Sequence, residues 1–153
     1  MKKISMALVI AVICFLLASP FLFVLKDVAF TDMTTCVQEH VDKAMYQHLN
    51  DKDIKKYYGL SKRDYDSALV YKHHSAMEAE EIAIFYVEDE DHRQVVLQAL
   101  KRRKDDKLLR FKGYAQPQYD RCKQGIILEK KQYIMLIIDE NQDALMDDIN
   151  ALF

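Results

Sequence analysis

Residues 67–88 read SALVYKHHSAMEAEEIAIFYVE, and this stretch sets the fold class. Ser67–His73 and Ile82–Glu88 are both rich in β-branched and aromatic residues, the composition of strands. Between them, HSAMEAEE holds Met77, Glu78, Ala79 and Glu80, which suit a short turn or helix. Asp89-Glu90-Asp91 then supplies N-cap and first-turn acids for a helix from about His92 to Phe111. Val95, Val96, Ala99, Leu100 and Leu108 would face inward, and basic residues crowd its second half, as the helix macrodipole favours. Gly113 ends it.

Working outward toward the C-terminus, Tyr114–Gly125 carries Pro117 at the first helical position and Gly125 at the position just past the helix end, so a short helix fits. Ile126–Glu129 and Tyr133–Ile138 pair as a hairpin across Lys130, Lys131 and Gln132. Leu145, Ile149, Leu152 and Phe153 follow the spacing of an amphipathic helix. Toward the N-terminus, Met33, Val37, Val41, Ala44, Met45 and Leu49 recur at helical spacing, predicting a helix over about Asp32–Leu49 capped by Asp32 or Thr31. Ile54–Tyr58 reads as a short helical turn closed by Gly59. The expected order is helix-β-β-α-β-β-α: an α+β domain with an antiparallel four-stranded sheet packed by helices on one face.

Ile4–Leu25, ISMALVIAVICFLLASPFLFVL, is free of charge. As a helix it would span roughly 33 Å, against roughly 30 Å of bilayer hydrocarbon. Lys2 and Lys3 precede it, which predicts a cytoplasmic N-terminus and an exported C-terminal part. The expected organisation is a cytoplasmic tail (1–3), a transmembrane signal-anchor helix (4–25) in the lipid bilayer, and an extracytoplasmic domain (26–153). A cleaved signal peptide would need a small-x-small site after a shorter apolar run. Ala18-Ser19-Pro20 lies inside the run instead, and Ile13 before Cys14 does not suit lipidation.

Net charge is −2, which argues against nucleic acid as a partner. Lys101-Arg102-Arg103-Lys104 is a basic run followed by Asp105-Asp106, and reads as a solvated helix face. Three glycines are too few for a phosphate loop or dinucleotide fold. Cys36 and Cys122 would either pair or stay as two thiols.

The Tyr57-Tyr58-Gly59-Leu60 segment, Asp64-Tyr65, the strand pair, the long helix, Gly113-Tyr114 with Pro117 and Tyr119, and a hairpin with Tyr133 together resemble the bacterial family catalogued as domain of unknown function 4358 (DUF4358). The resemblance spans roughly Cys36–Phe153. It implies an envelope location and carries no catalytic residues to transfer.

No catalytic, cofactor or metal constellation is expected. His73-His74 near Glu78, Glu80 and Glu81 comes nearest to a metal set, but adjacent strand residues face opposite ways. His40 and His48 are too far apart along one helix to share an ion. None of Ser5, Ser19, Ser61, Ser67 and Ser75 sits in a nucleophile elbow. Asp139, Glu140, Asp143, Asp147 and Asp148 lack the spacing of a calcium loop. Tyr57, Tyr58, Tyr114 and Tyr119 flank turns and are the candidate ligand or partner surface, against the plainer role of bordering the core. The expected function is a non-enzymatic, membrane-tethered extracytoplasmic interaction module that binds an envelope protein or a cell-wall component. The alternatives are an accessory subunit of a membrane complex, or a hydrolase whose site assembles in space around His73, His74 or Cys122.

Overall fold

The computed structural model describes residues 27–153. The expected tail and signal-anchor helix, residues 1–25, lie outside the described residues. No helix among the described residues is long and apolar enough to cross a membrane.

The element order is α1 (Phe30–His40), β1 (Tyr46–His48), α2 (Asp51–Tyr58), a 3-10 turn (Lys62–Asp64), β2 (Ser67–His73), β3 (Glu81–Tyr86), α3 (Glu90–Phe111), α4 (Gln116–Gln124), β4 (Ile126–Lys130), β5 (Tyr133–Ile138) and α5 (Gln142–Leu152). The class is α+β, as expected. The sheet has five strands rather than four, in the order β1-β2-β3-β5-β4, and every pairing is antiparallel.

The extra strand comes out of the predicted first helix, which ends at His40 instead of Leu49. Asp42 breaks it. Its carboxylate accepts the Ala44 N–H, and its carbonyl accepts those of Met45 and Tyr46. A short acidic side chain that captures nearby amides competes with the helical ladder. Tyr46–His48 then pairs with Tyr71–His73, so hydrogen bonding along the β2 edge overrides the helical spacing of the apolar residues.

Helices cover both faces of the sheet, not one. Ala83 and Phe85 of β3 and Ile134, Leu136 and Ile138 of β5 join Ile54, Val96, Leu100 and Phe111 in one core, beneath α2, α3 and α4. Ile82 and Ile84 with Tyr133, Met135 and Ile137 join Met33, Val37, Leu145 and Ile149 in a second core, beneath α1 and α5. The apolar runs IAIF and YIMLII lack polar alternation because a central strand covered on both sides has no wet face. Cys36 sits in the second core and Cys122 in the first, so the sheet separates them, and both thiols are free.

Two glycines hold the ends of the first core for different reasons. Gly59 stops α2 in the left-handed region at φ 73, its N–H returned to the Lys55 carbonyl. Gly125, after α4, has φ −50 and needs no such freedom. A Cβ there would stand 2.6 Å from Ile138 Cγ1, so α4 closes onto β5 only because the side chain is missing.

Candidate functional site

The end of the sheet where β2 turns into β3 carries most of the polar chemistry, divided between the two faces. Strand alternation aims Glu81 into the first core beside Ala83 and Phe85. There it is fully buried. Ala99, Leu100, Arg103, Lys107 and Phe111 are all buried along α3, so two basic residues continue an apolar stripe. Arg103 reaches Glu81 with Nε at 2.8 Å and a terminal nitrogen at 2.6 Å, and Lys107 Nζ stands 2.9 Å from the same carboxylate. Lys107 also donates to the Ala79 carbonyl at 2.8 Å. The Tyr58 hydroxyl donates to Glu81 Oε1, and the Tyr57 and Tyr58 rings flank the Arg103 guanidinium.

These contacts set the charge states. Burial by itself would raise the Glu81 pKa, but Lys107 and the Arg103 fork overcome it and hold the carboxyl down at about 2. Arg103 is pushed up, its own burial outweighed by the hydrogen bond and charge of Glu81. Lys107 moves the other way: burial lowers it, and Arg103 nearby offsets part of the pull from Glu81. Burial raises the Tyr58 hydroxyl far above its ordinary value, so it stays a donor.

A cavity of about 70 Å³ adjoins this cluster, with Tyr57, Lys72, Glu78, Arg103, Lys107 and Arg110 in its wall. Lys72 stands directly across the strand pair from Glu81. Its Nζ donates to the His73 carbonyl at 2.7 Å.

On the other face a larger open cleft of about 530 Å³ runs between the ends of α1, β2 and β5 and the side of α4. Asp42, Glu78, Glu80, Asp139 and Glu140 make it acidic, with His40, His73 and Arg121 as its basic groups. Arg121 pairs with Glu80 and Glu140, and the Tyr46 hydroxyl donates to Asp139. The β2–β3 connection forms the partition between cavity and cleft. Gln118 of α4 clamps it, accepting the Ala79 N–H at 2.9 Å and donating to Glu78. Glu78 borders both spaces.

The four candidate tyrosines do not share one cavity. Tyr57 lines the small cavity, Tyr58 is buried on Glu81, Tyr114 is exposed with its ring against Phe111, and Tyr119 borders a shallow groove with Leu108, Leu109 and Lys112. The histidine-acid group is also divided. His73, Glu78 and Glu80 border the cleft, while Glu81 points to the opposite face. No group of three such ligands able to hold a metal ion occurs among the described residues. His73 and Cys122 do not meet either: Cys122 is fully buried in the first core and burial raises its thiol pKa. His73 Nδ1 accepts the Ser75 N–H at 3.0 Å, and His74 is exposed.

The basic run splits the same way. Lys101 and Arg102 are exposed, as a solvated face requires, but Arg103 is buried. The cluster of Glu81, Arg103 and Lys107 is what sequence reasoning missed. Its trace was present in the spacing of Ala99, Leu100, Arg103, Lys107 and Phe111, where basic residues occupy inward positions.

The family model described as "Domain of unknown function (DUF4358)" matches residues 39–139, a span that holds the whole wall of the small cavity. No curated protein and no solved structure matches the chain.

Proposed function

The chain belongs to the DUF4358 family, and we propose that it is a membrane-tethered interaction module of a bacterial envelope, with no catalytic role. Residues 4–25 anchor it in the bilayer, the N-terminus lies in the cytoplasm, and the domain from residue 26 onward meets an envelope protein or a cell-wall component outside. The observation that carries this reading is the uncharged apolar run Ile4–Leu25, with Lys2 and Lys3 before it. A folded domain follows almost at once, starting with α1 at Phe30. The short tether holds that domain close to the bilayer. Exposed Tyr114 and half-buried Tyr57 and Tyr119 give its surface aromatic contact groups, with Tyr58 fixing the Arg103 guanidinium from within.

Protease added to intact cells with a permeabilised outer layer tests the topology. The expected result is removal of the domain while the cytoplasmic marker survives. A domain that stays protected under those conditions overturns the proposed orientation. A crosslinking pull-down from intact cells then tests the binding role. Enrichment of one envelope component that is lost on Tyr57→Ala, Tyr114→Ala and Tyr119→Ala substitution is the supporting outcome. A crosslinking pattern that the triple variant leaves unchanged removes these tyrosines from the partner surface.

A further inference from the structure

We propose that the small cavity beside the Glu81 cluster binds a small oxyanion, of the phosphate or phosphate-monoester class. The site stands independently of where the domain is tethered.

The charge balance of the wall is the first support. Lys72, Arg103, Lys107 and Arg110 converge on it, against the carboxylates of Glu78 in the wall and Glu81 beneath it. Two positive charges are left over. Glu81 answers for one of its two buried partners, and Glu78 is engaged by the Gln118 amide. Lys72 has a single backbone carbonyl as acceptor, and Arg110 makes no hydrogen bond or ion pair among the described residues. A phosphate monoester carries about −1.5 to −2 at neutral pH, which matches that excess. A lone carboxylate would leave part of it.

Size is the second support. A buried water needs roughly 10–15 Å³ of such space, so about 70 Å³ accommodates on the order of five water-sized groups. A phosphate group has a comparable number of heavy atoms. Preorganisation is the third. Glu81 and the Tyr57 and Tyr58 rings fix the Arg103 guanidinium, and Glu81 and the Ala79 carbonyl fix Lys107. Side chains already held in place lose little rotamer freedom when a ligand arrives. Burial lowers Lys72, and Lys107, Arg103 and Arg110 lower it further against the opposing pull of Glu81, so a bound anion would relieve it.

The shared chemistry would be supplied by free phosphate or by the phosphate of a lipid headgroup, and two arms separate these sources. In the first, the full chain in detergent micelles is titrated with inorganic phosphate at constant ionic strength and followed by calorimetry. In the second, the full chain in nanodiscs of zwitterionic lipid with or without phosphatidic acid is followed by thermal unfolding, with inorganic phosphate as competitor. Lys72→Met and Arg110→Ala are each expected to weaken the response about tenfold, the scale of one lost hydrogen bond to a charged group. Lys101→Ala, on the exposed side of α3, is expected to leave it unchanged. Arg110 is exposed, so its removal does not threaten the fold. Saturable uptake of inorganic phosphate that depends on both residues supports a free-anion site. Stabilisation only by phosphatidic acid, with the same dependence, supports a headgroup site. No response in either arm, or a response that both variants keep, overturns the proposal.

Discussion

The two faces of one sheet solve the same packing problem with different chemistry. The face under α1 and α5 is apolar at its centre, with Met33, Val37, Ile84, Met135 and Ile149 fully buried. The Tyr133 hydroxyl there donates to the Val28 carbonyl at 2.9 Å. Its charged contacts lie at its margins, Glu80 with Arg121 at the cleft and His40, when protonated, with Asp148 at the surface. The face under α2, α3 and α4 has an equally apolar centre but drives Glu81, Arg103 and Lys107 into it. Desolvating three charges costs several kcal/mol each unless their mutual attraction and hydrogen bonds offset it. Apolar side chains of similar volume would fill the same space without that cost, as they do across the sheet. The difference teaches where this molecule keeps something other than stability: the face that buries its charges borders the small cationic cavity, whereas the apolar face meets only the open acidic cleft at its end.

The largest effect should come from breaking the charged cluster on one side only. Glu81→Ala leaves Arg103 and Lys107 buried without their carboxylate and is expected to cost about 3–5 kcal/mol. Replacing the whole set, Glu81→Leu with Arg103→Met and Lys107→Met, is expected to cost far less or to stabilise. Urea unfolding of the full chain in micelles measures both. A single variant within about 1 kcal/mol of the parent would show that the cluster is hydrated and that the two faces are energetically alike. On the apolar face Ile84→Ala should cost about 2–5 kcal/mol through lost transfer and a residual cavity, with no companion substitution that restores it.

Acid sharpens the same contrast. Glu81 is held at about 2 in the folded chain against an ordinary value of 4.5. A carboxylate depressed on folding stabilises above its unfolded pKa and loses that contribution as pH falls from about 4.5 toward about 2. The shift corresponds to about 3 kcal/mol. The parent should therefore lose more stability than the all-apolar triple variant between pH 5 and pH 2, and its unfolding midpoint should fall relative to the variant's. Parallel curves over that range would mean that Glu81 is not the group that acid removes.

Much of this contrast is legible in the sequence, though unevenly. Gly59 after Ile54–Tyr58, the acids before α3 and the β4–β5 hairpin follow local rules and fall where their chemistry predicts, while Pro117 stands one residue further into α4 than expected. The strand at Tyr46–His48 was hidden because its residues also satisfy a helical period, and only pairing with β2 decides between the two. Helices were expected on one face only, although the lack of alternation in IAIF and YIMLII carries the signal of burial on both. Arg103 and Lys107 look like solvated charge in a basic run. Their burial depends on Glu81, about twenty residues away, arriving on the same face, and no local spacing encodes that meeting. Gly125 was expected to stop a helix, yet its requirement comes from Ile138 across the core.

That last residue supplies a mid-sized test. Gly125→Ala would push a Cβ to 2.6 Å from Ile138 Cγ1 and 3.3 Å from the Ile137 carbonyl oxygen. Overpacking of this kind costs about 1–3 kcal/mol. Because α4 also carries Gln118 and Arg121, a shift of that helix should loosen the clamp on the β2–β3 partition. Faster hydrogen exchange at the Ala79 amide, beyond what global stability explains, is the expected signature. Exchange at Ala79 that simply tracks global stability would separate packing from partition.

The smallest effect belongs to the apolar face. His40 Nε2 lies 2.8 Å from Asp148, closer than Lys107 lies to Glu81, so distance alone would rank it the stronger pair. Asp148 is 62% exposed, whereas Glu81 has no exposed surface. Water and salt screen the first pair fully and the second, whose carboxylate has no exposed surface, far less. Asp148→Asn should therefore cost less than about 1 kcal/mol, and the cost should fade in high salt, while that of Glu81→Ala persists. If the two substitutions responded alike to salt, the buried cluster would be in contact with solvent ions. Its cavity would then be open to bulk anions in general, with no selectivity for a phosphate dianion.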